Sequence, residues 1–236
     1  CSIRVGVAWS TLSPACVTCP HEEMTTNFAF GAVMMCGTFA GYFVRTKLNA
    51  PIFLAIIVAI IAGIAVSVLT ELVAYRPMRK KNANRLFLMI SAMGVNIFIT
   101  NLFLCLFGAN LRNLPSGLTS NVISVKGIQI GIIDIISIVT ALLSLAVLAY
   151  FLYKTRSGIA VRASAIDMNT AGLMGINVNR ISLIVFVISG FTAAIAGMFF
   201  GMKYTVYPAM GSISNKAFIA SVIGGLGSLP GAVVGG

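Results

Sequence analysis

The sequence predicts an all-α fold, a polytopic transmembrane helical bundle with a long basic loop of short helices and a broken terminal helix. Three observations carry that prediction. Of 236 residues, 58% are hydrophobic and 9% charged, against about 25% charged in soluble domains, so most of the chain must sit where charge is expensive. Apolar runs of spanning length recur, since about 20 mostly apolar residues cross about 30 Å of hydrocarbon. Lys and Arg gather in the short segments between those runs, which is how a membrane protein encodes its orientation. The formal charge of +11 is therefore read as topology, and no nucleic-acid partner is expected, because the cations are spread between apolar runs.

Residues 1–26 differ from everything after them. They mix Ser, Thr, Pro and Cys with Arg4, Glu22 and Glu23, and they lack the long apolar run of a signal peptide or a spanning helix. The expectation is an atypical segment, disordered or mistranslated. Cys16 and Cys19 with His21 form at most half of a zinc site; no second pair follows, so no metal is expected. Cys36 and Cys105 lie within apolar runs, where Cys behaves as a small hydrophobe.

Five spanning stretches follow, over residues 27–44, 51–75, 86–108, 132–153 and 181–202, and a sixth begins at 217. The second is the most apolar. Twelve large aliphatic or Phe residues between Ile52 and Leu69 contribute roughly −4 to −7 kcal/mol to insertion. The connecting loops then set sidedness. Loop 76–85 carries Arg76, Arg79, Lys80, Lys81 and Arg85, and loop 154–180 carries Lys154, Arg156, Arg162 and Arg180. The alternate loops carry two each: Arg45 and Lys47, Arg112 and Lys126, Lys203 and Lys216. The two basic-rich loops have the same parity along the chain, so both are expected to be cytoplasmic. Glu71 and Asp134 fall near helix ends, where an acid avoids most of the mid-bilayer penalty.

Three patterns within these stretches bear on function. Gly37 and Gly41, then Gly190, Ala194, Gly197 and Gly201, recur at the four-residue or near-four-residue spacing that lets helix backbones approach closely in lipid; they serve helix packing or line a path. Gly224, Gly225, Gly227, Ser228 and Pro230 interrupt an otherwise apolar terminal stretch. Each Gly weakens a helix by about 1 kcal/mol and Pro by about 3, so this helix should break. A break within a bilayer needs protein or a water-filled cavity to receive its freed backbone groups, and marks either a transport route or a plain kink. Third, loop 154–180 is patterned as two short helices. The first runs over 157–166; Asp167 is placed to cap a second, Gly175 to end it, and Met168, Ala171 and Met174 to give it one apolar side. Such an element either lies passively at the interface or docks into a partner's groove.

Residues 71–79 (ELVAYRPMR), 90–98 (ISAMGVNIF), 156–167 (RSGIAVRASAID) continuing to 173–176 (LMGI), and 216–218 (KAF) followed by 224–231 (GGLGSLPG) resemble, in the same order, the permease of branched-chain amino acid ABC importers. The resemblance covers residues 27–236 and implies a transmembrane permease domain there. It further implies a homologous second permease subunit, two ATP-binding subunits, an extracytoplasmic substrate-binding protein, and a bacterial inner-membrane location with 76–85 and 154–180 cytoplasmic. Residues 156–176 would then be the region receiving motion from the ATPases, with Arg156, Arg162, Asp167, Met168, Ala171, Met174 and Gly175 as coupling residues. Asn27, Gly31, Asn96 and the 224–230 segment would serve the translocation path. The chain carries no phosphate-binding Gly-x-x-x-x-Gly-Lys-Ser/Thr, so ATP and Mg would be held on partner subunits; no catalytic residue and no cofactor are expected here.

The sequence also departs from the family pattern. Phe30 stands where the family has His, Ala32 where it has a polar residue, and Leu72 where it has Arg. No counterpart of a preceding helix is found in residues 1–26, and the family continues past the position of Gly236, so a sequence truncated at both ends is expected. Branched-chain amino acids are the expected cargo, with urea or short amides as the alternative. An ion-coupled secondary transporter or channel is the rival from another class; it would need a polar mid-membrane site, for which the sequence offers little beyond Asn96 and Asn101.

Overall fold

The computed structural model describes residues 29–48, 50–80, 85–112, 122–125, 128–166 and 168–212. Five long helices dominate it: α1 (Phe30–Lys47), α2 (Ile52–Thr70), α4 (Arg85–Phe107), α5 (Ile132–Lys154) and α8 (Val178–Lys203). They coincide within a few residues with the five apolar stretches, while the sixth stretch and the Gly224 to Pro230 break lie outside the described residues. α2 continues through a π-helical turn (Glu71–Tyr75) into the short α3 (Arg76–Lys80). Two short helices, α6 (Arg156–Ile166) and α7 (Met168–Leu173), fill the basic loop. Hydropathy gave no sign of one feature: an antiparallel hairpin, β1 (Val122–Val125) with β2 (Ile128–Gly131), pairs Val122 with Gly131 just before α5.

The contacts fix the direction of each helix. Ser67 on α2 donates from Oγ to the Phe186 carbonyl at 2.6 Å, and Gly63 lies against Gly190 and Ala194, so α2 and α8 run antiparallel. Gly37 meets Ala194 and Gly41 meets Met198, so α1 runs parallel to α8. The Phe39 ring lies 5.4 Å from Phe103 and Phe43 lies 4.9 Å from Phe107, which sets α4 parallel to α1. Leu148 and Leu152 share a core with Ile181 and Val185, while Ala141 meets Ala196, making α5 antiparallel to α8. The helices therefore alternate, and loops 76–85 and 154–180 emerge at one end of the bundle.

Small side chains decide where the bundle is tightest. On α2 the buried positions Ala55, Ala59, Gly63 and Ser67 repeat every four residues, one stripe along the helix. The opposite face presents Phe53, Ile57, Ile61 and Leu69 outward, as a surface solvated by lipid tails requires. α1 packs against both α2 and α8, with Phe30, Val33, Met34, Met35 and Phe39 in the largest core. Among the described residues four helical segments are long and apolar enough to cross a membrane: Ile52–Arg79, Ile90–Phe107, Ile135–Lys154 and Val178–Lys203. α1 is not among them: its last turn carries Arg45 and Lys47, and protein rather than lipid surrounds most of it.

Candidate functional site

The end of the bundle that carries the basic loops gathers the features that bear on function. Its outer layer is the α6–α7 unit, built by local rules. Thr155 accepts a hydrogen bond from the Gly158 amide at its Oγ1 (3.0 Å), an N-cap that starts α6 directly after α5. The corner is sharp enough that a side chain at Gly158 would collide with the backbone of Phe151 and Leu152. Val161 then anchors α6 in the core of Leu148, Leu152, Ile181 and Val185.

α7 ends in a Schellman motif. The Ile176 amide donates to the Ala171 carbonyl and the Gly175 amide to the Gly172 carbonyl, both at 3.1 Å, with Gly175 at φ +85°, the left-handed conformation glycine adopts without penalty. Asn177 then caps α8, its side-chain oxygen accepting from the Arg180 amide at 3.4 Å. The expected apolar side of the second helix is corrected here. Ala171 is buried at 5% exposure, but Met174 is 78% exposed and Leu173 87%. The helix stops at Leu173, so Met174 lies in the turn and points away from the side Ala171 uses. Asp167 and the side chain of Met168 lie outside the described residues.

The outward face of this unit is basic and apolar together. Arg156, Ile159, Arg162, Leu173 and Met174 are all exposed, and the Arg162 guanidinium sits 5.0 Å from the centre of the Tyr153 ring, a cation–π contact that orients it. Burying one large apolar side chain is worth about 1.5–3 kcal/mol, and exposed apolar groups rimmed by charge are the signature of a docking surface.

Where α2 ends lies a buried ion pair that hydropathy alone did not reveal. Glu71 is 1% exposed, and Arg79 Nη2 donates to its Oε1 across the π-helical turn. Glu71, read from sequence as interfacial, is covered by protein: α4 and α8 both pack on the π segment. The Tyr75 ring meets Phe186 of α8 at 5.0 Å.

The remaining expected residues divide between the core and the undescribed ends. A Cβ on Gly37 would lie 3.1 Å from Ala194 Cβ, and one on Gly190 would lie 2.8 Å from Ser67 Cβ and 2.9 Å from the Gly63 carbonyl oxygen. One on Gly197 would collide with Thr38, and one on Gly201 would lie 2.7 Å from Thr38 Cγ2. The five glycines thus meet in the α1–α2–α8 contact, together with Gly63, which sequence spacing passed over. Gly31 is buried beside Gly211, and Asn96 keeps a buried Oδ1 without a hydrogen-bond partner. Asn27 and residues 224–230 lie outside the described residues.

At the opposite end Arg112 joins several elements. Arg112 donates to the Phe107 carbonyl at 2.8 Å, its guanidinium lies 5.7–5.8 Å from the centres of the Tyr42, Phe43 and Phe107 rings, and its backbone pairs with Val206. Among the described residues no cluster of three or more His, Cys, Asp or Glu could hold a metal ion.

Known proteins resemble the chain in sequence. A family model described as branched-chain amino acid transport system / permease component matches residues 25–236. The chain is 35% identical over 224 residues to the high-affinity branched-chain amino acid transport system permease protein BraD of Pseudomonas aeruginosa. It is 37% identical over 229 residues to the corresponding permease protein LivH of Escherichia coli K12 and 36% identical over 224 residues to LivH of Salmonella typhimurium. Each alignment covers 89% of this chain and 72% of the relative. No solved structure matches the chain.

Proposed function

The chain belongs to the family of branched-chain amino acid transport system permease components, and from that premise we propose that it carries leucine-type amino acids through the membrane as one permease half of an ATP-driven importer. It is a multi-pass membrane protein and a transport permease rather than an enzyme; ATP hydrolysis belongs to separate subunits. The ion-coupled reading is not favoured by a family of transport-system components. The match over residues 25–236 carries the assignment.

The proposal adds partners and sidedness. The complex would contain a homologous second permease, two ATP-binding subunits and a binding protein outside the membrane. The basic-rich end would face the cytoplasm, in keeping with the excess of Lys and Arg in loops 76–85 and 154–180. The α6–α7 unit would be the surface on which an ATP-binding subunit docks, since Leu173, Met174 and Ile159 are exposed apolar groups rimmed by Arg156 and Arg162. Closure of the ATPases would push this unit. Because α8 starts three residues past Gly175, the push would reach the packed glycines of α1, α2 and α8.

The test is reconstitution of the full chain with its partner subunits in proteoliposomes, with labelled leucine outside and ATP inside. Uptake that requires ATP and the binding protein is expected, and competition by isoleucine and valine but not urea. Uptake driven by an ion gradient in vesicles holding this chain alone would overturn the proposal.

A further inference from the structure

The buried Glu71–Arg79 pair sits at the π-helical turn where α2 ends. Glu71 ranks among the largest fully buried side chains, and it is held by an arginine eight residues further along the chain. That contact spans the π-helical turn Glu71–Tyr75, from Glu71 at its first position to Arg79 on α3. A π turn inside an α-helix is a local departure from the preferred ladder and is often found at functional positions. Replacing a buried ion pair with well-packed apolar groups is commonly neutral or stabilising, so an ionic pair here calls for a reason other than stability.

The pair is also under-satisfied. Arg79 Nε is buried without a hydrogen-bond partner, and so is Ser182 Oγ; Ser182 itself is 0% exposed. The antiparallel register relates the two sites. Gly63 stands opposite Gly190 and Ser67 opposite Phe186, so the same register carried four residues on sets Ser182 level with Glu71. Orphaned polar groups inside a protein are rare, and an unpartnered hydroxyl level with a buried carboxylate marks a contact that another arrangement would complete.

Resting on the proposed coupling of α6–α7 to an ATPase, we infer that Glu71, Arg79 and Ser182 form a latch. In the conformation seen here Arg79 holds Glu71 and closes the π turn. When the α6–α7 unit displaces the first turns of α8, Ser182 Oγ donates to Glu71 and the hold of Arg79 is released, freeing α2 to move against α8. These three are positioning residues: they touch no cargo and set which of two helix arrangements is stable.

The experiment uses the full chain with its partner subunits, comparing wild type with Ser182→Ala and with the double variant Glu71→Leu/Arg79→Met. Three quantities are read: association with the ATP-binding subunits in detergent, ATP-driven uptake of labelled leucine in proteoliposomes, and ATP hydrolysis. The double variant is expected to assemble and hydrolyse ATP while uptake falls about tenfold or more, because a well-packed apolar pair keeps the fold and cannot exchange partners. Ser182→Ala should keep assembly and lower uptake with hydrolysis largely retained, a split that loss of packing would not produce. Uptake within about twofold of wild type in either variant would overturn the latch. If the double variant does not assemble, Ser182→Ala decides alone. Failure of the wild type to associate with the ATPases would instead count against the docking proposal, so the two outcomes stay distinct.

Discussion

Gly190 is a residue at which helix packing leaves no room for a side chain. A side chain there meets Ser67 Cβ at 2.8 Å and the Gly63 carbonyl oxygen at 2.9 Å, and a backbone oxygen inside a helix cannot step aside. Gly190→Val should therefore cost about 1–3 kcal/mol or more through overpacking, seen as a lower thermal midpoint and loss of monodispersity in detergent. Gly94→Ala is the control: nothing lies within 4 Å of a Cβ there, and removing a mid-helix glycine should gain up to about 1 kcal/mol. An equal loss at both positions would refute the packing account. Gly37, Gly41, Gly190, Gly197 and Gly201 were legible because four-residue spacing is a local signal. Gly63 was less so, since its neighbours in the stripe are Ala59 and Ser67 and no second glycine flags it. The Glu71–Arg79 contact was hidden for a different reason: eight residues exceed the i to i+4 reach on which helical pairing rules rest, and only the π turn and the cover of α4 and α8 turn an apparently interfacial acid into a buried one.

At the scale of the element, the α6–α7 unit stands on two punctuation marks, the Thr155 cap and the Gly175 turn. Gly175→Val forces a β-branched residue to φ +85°, which costs about 1–2 kcal/mol or more, and should displace Leu173 and Met174 without unfolding the bundle. Leu173→Asp leaves the turn intact and removes only the apolar contact. Both variants should retain wild-type thermal stability to within a few degrees and lose association with the ATP-binding subunits, measured by co-purification. Undiminished association in Leu173→Asp would show that the docking surface lies elsewhere. The two short helices and the glycine that ends the second were readable from the sequence, because caps and turns are written in single residues. The orientation of Met174 was not. Three-residue spacing assumes that the helix continues, and the Schellman turn stops it one residue short.

Across the whole molecule, hydropathy located the five long helices because lipid demands a contiguous apolar run. It could not rank them by position, since a helix buried in protein and one bathed in lipid tails both read as apolar. α1 shows the difference: less apolar than its neighbours, it lies inside, where α2 and α8 cover it, while α2 divides into a small-residue stripe turned inward and a large-residue face turned outward. The β1–β2 hairpin was invisible for a related reason, eight strand residues being too few to register against the spans on either side. Alternation of the helices brings loops 76–85 and 154–180 to one end, so the proposed docking surface and the proposed latch share one sidedness.

The most direct test of that sidedness is a Leu173→Cys variant in a background with Cys1, Cys16, Cys19, Cys36 and Cys105 replaced, treated with a membrane-impermeant maleimide in vesicles of each orientation. Labelling in inside-out vesicles alone, and protection there by the bound ATP-binding subunits, is the predicted result. Labelling of Leu173→Cys in right-side-out vesicles would put the α6–α7 unit on the wrong side of the membrane and contradict the account.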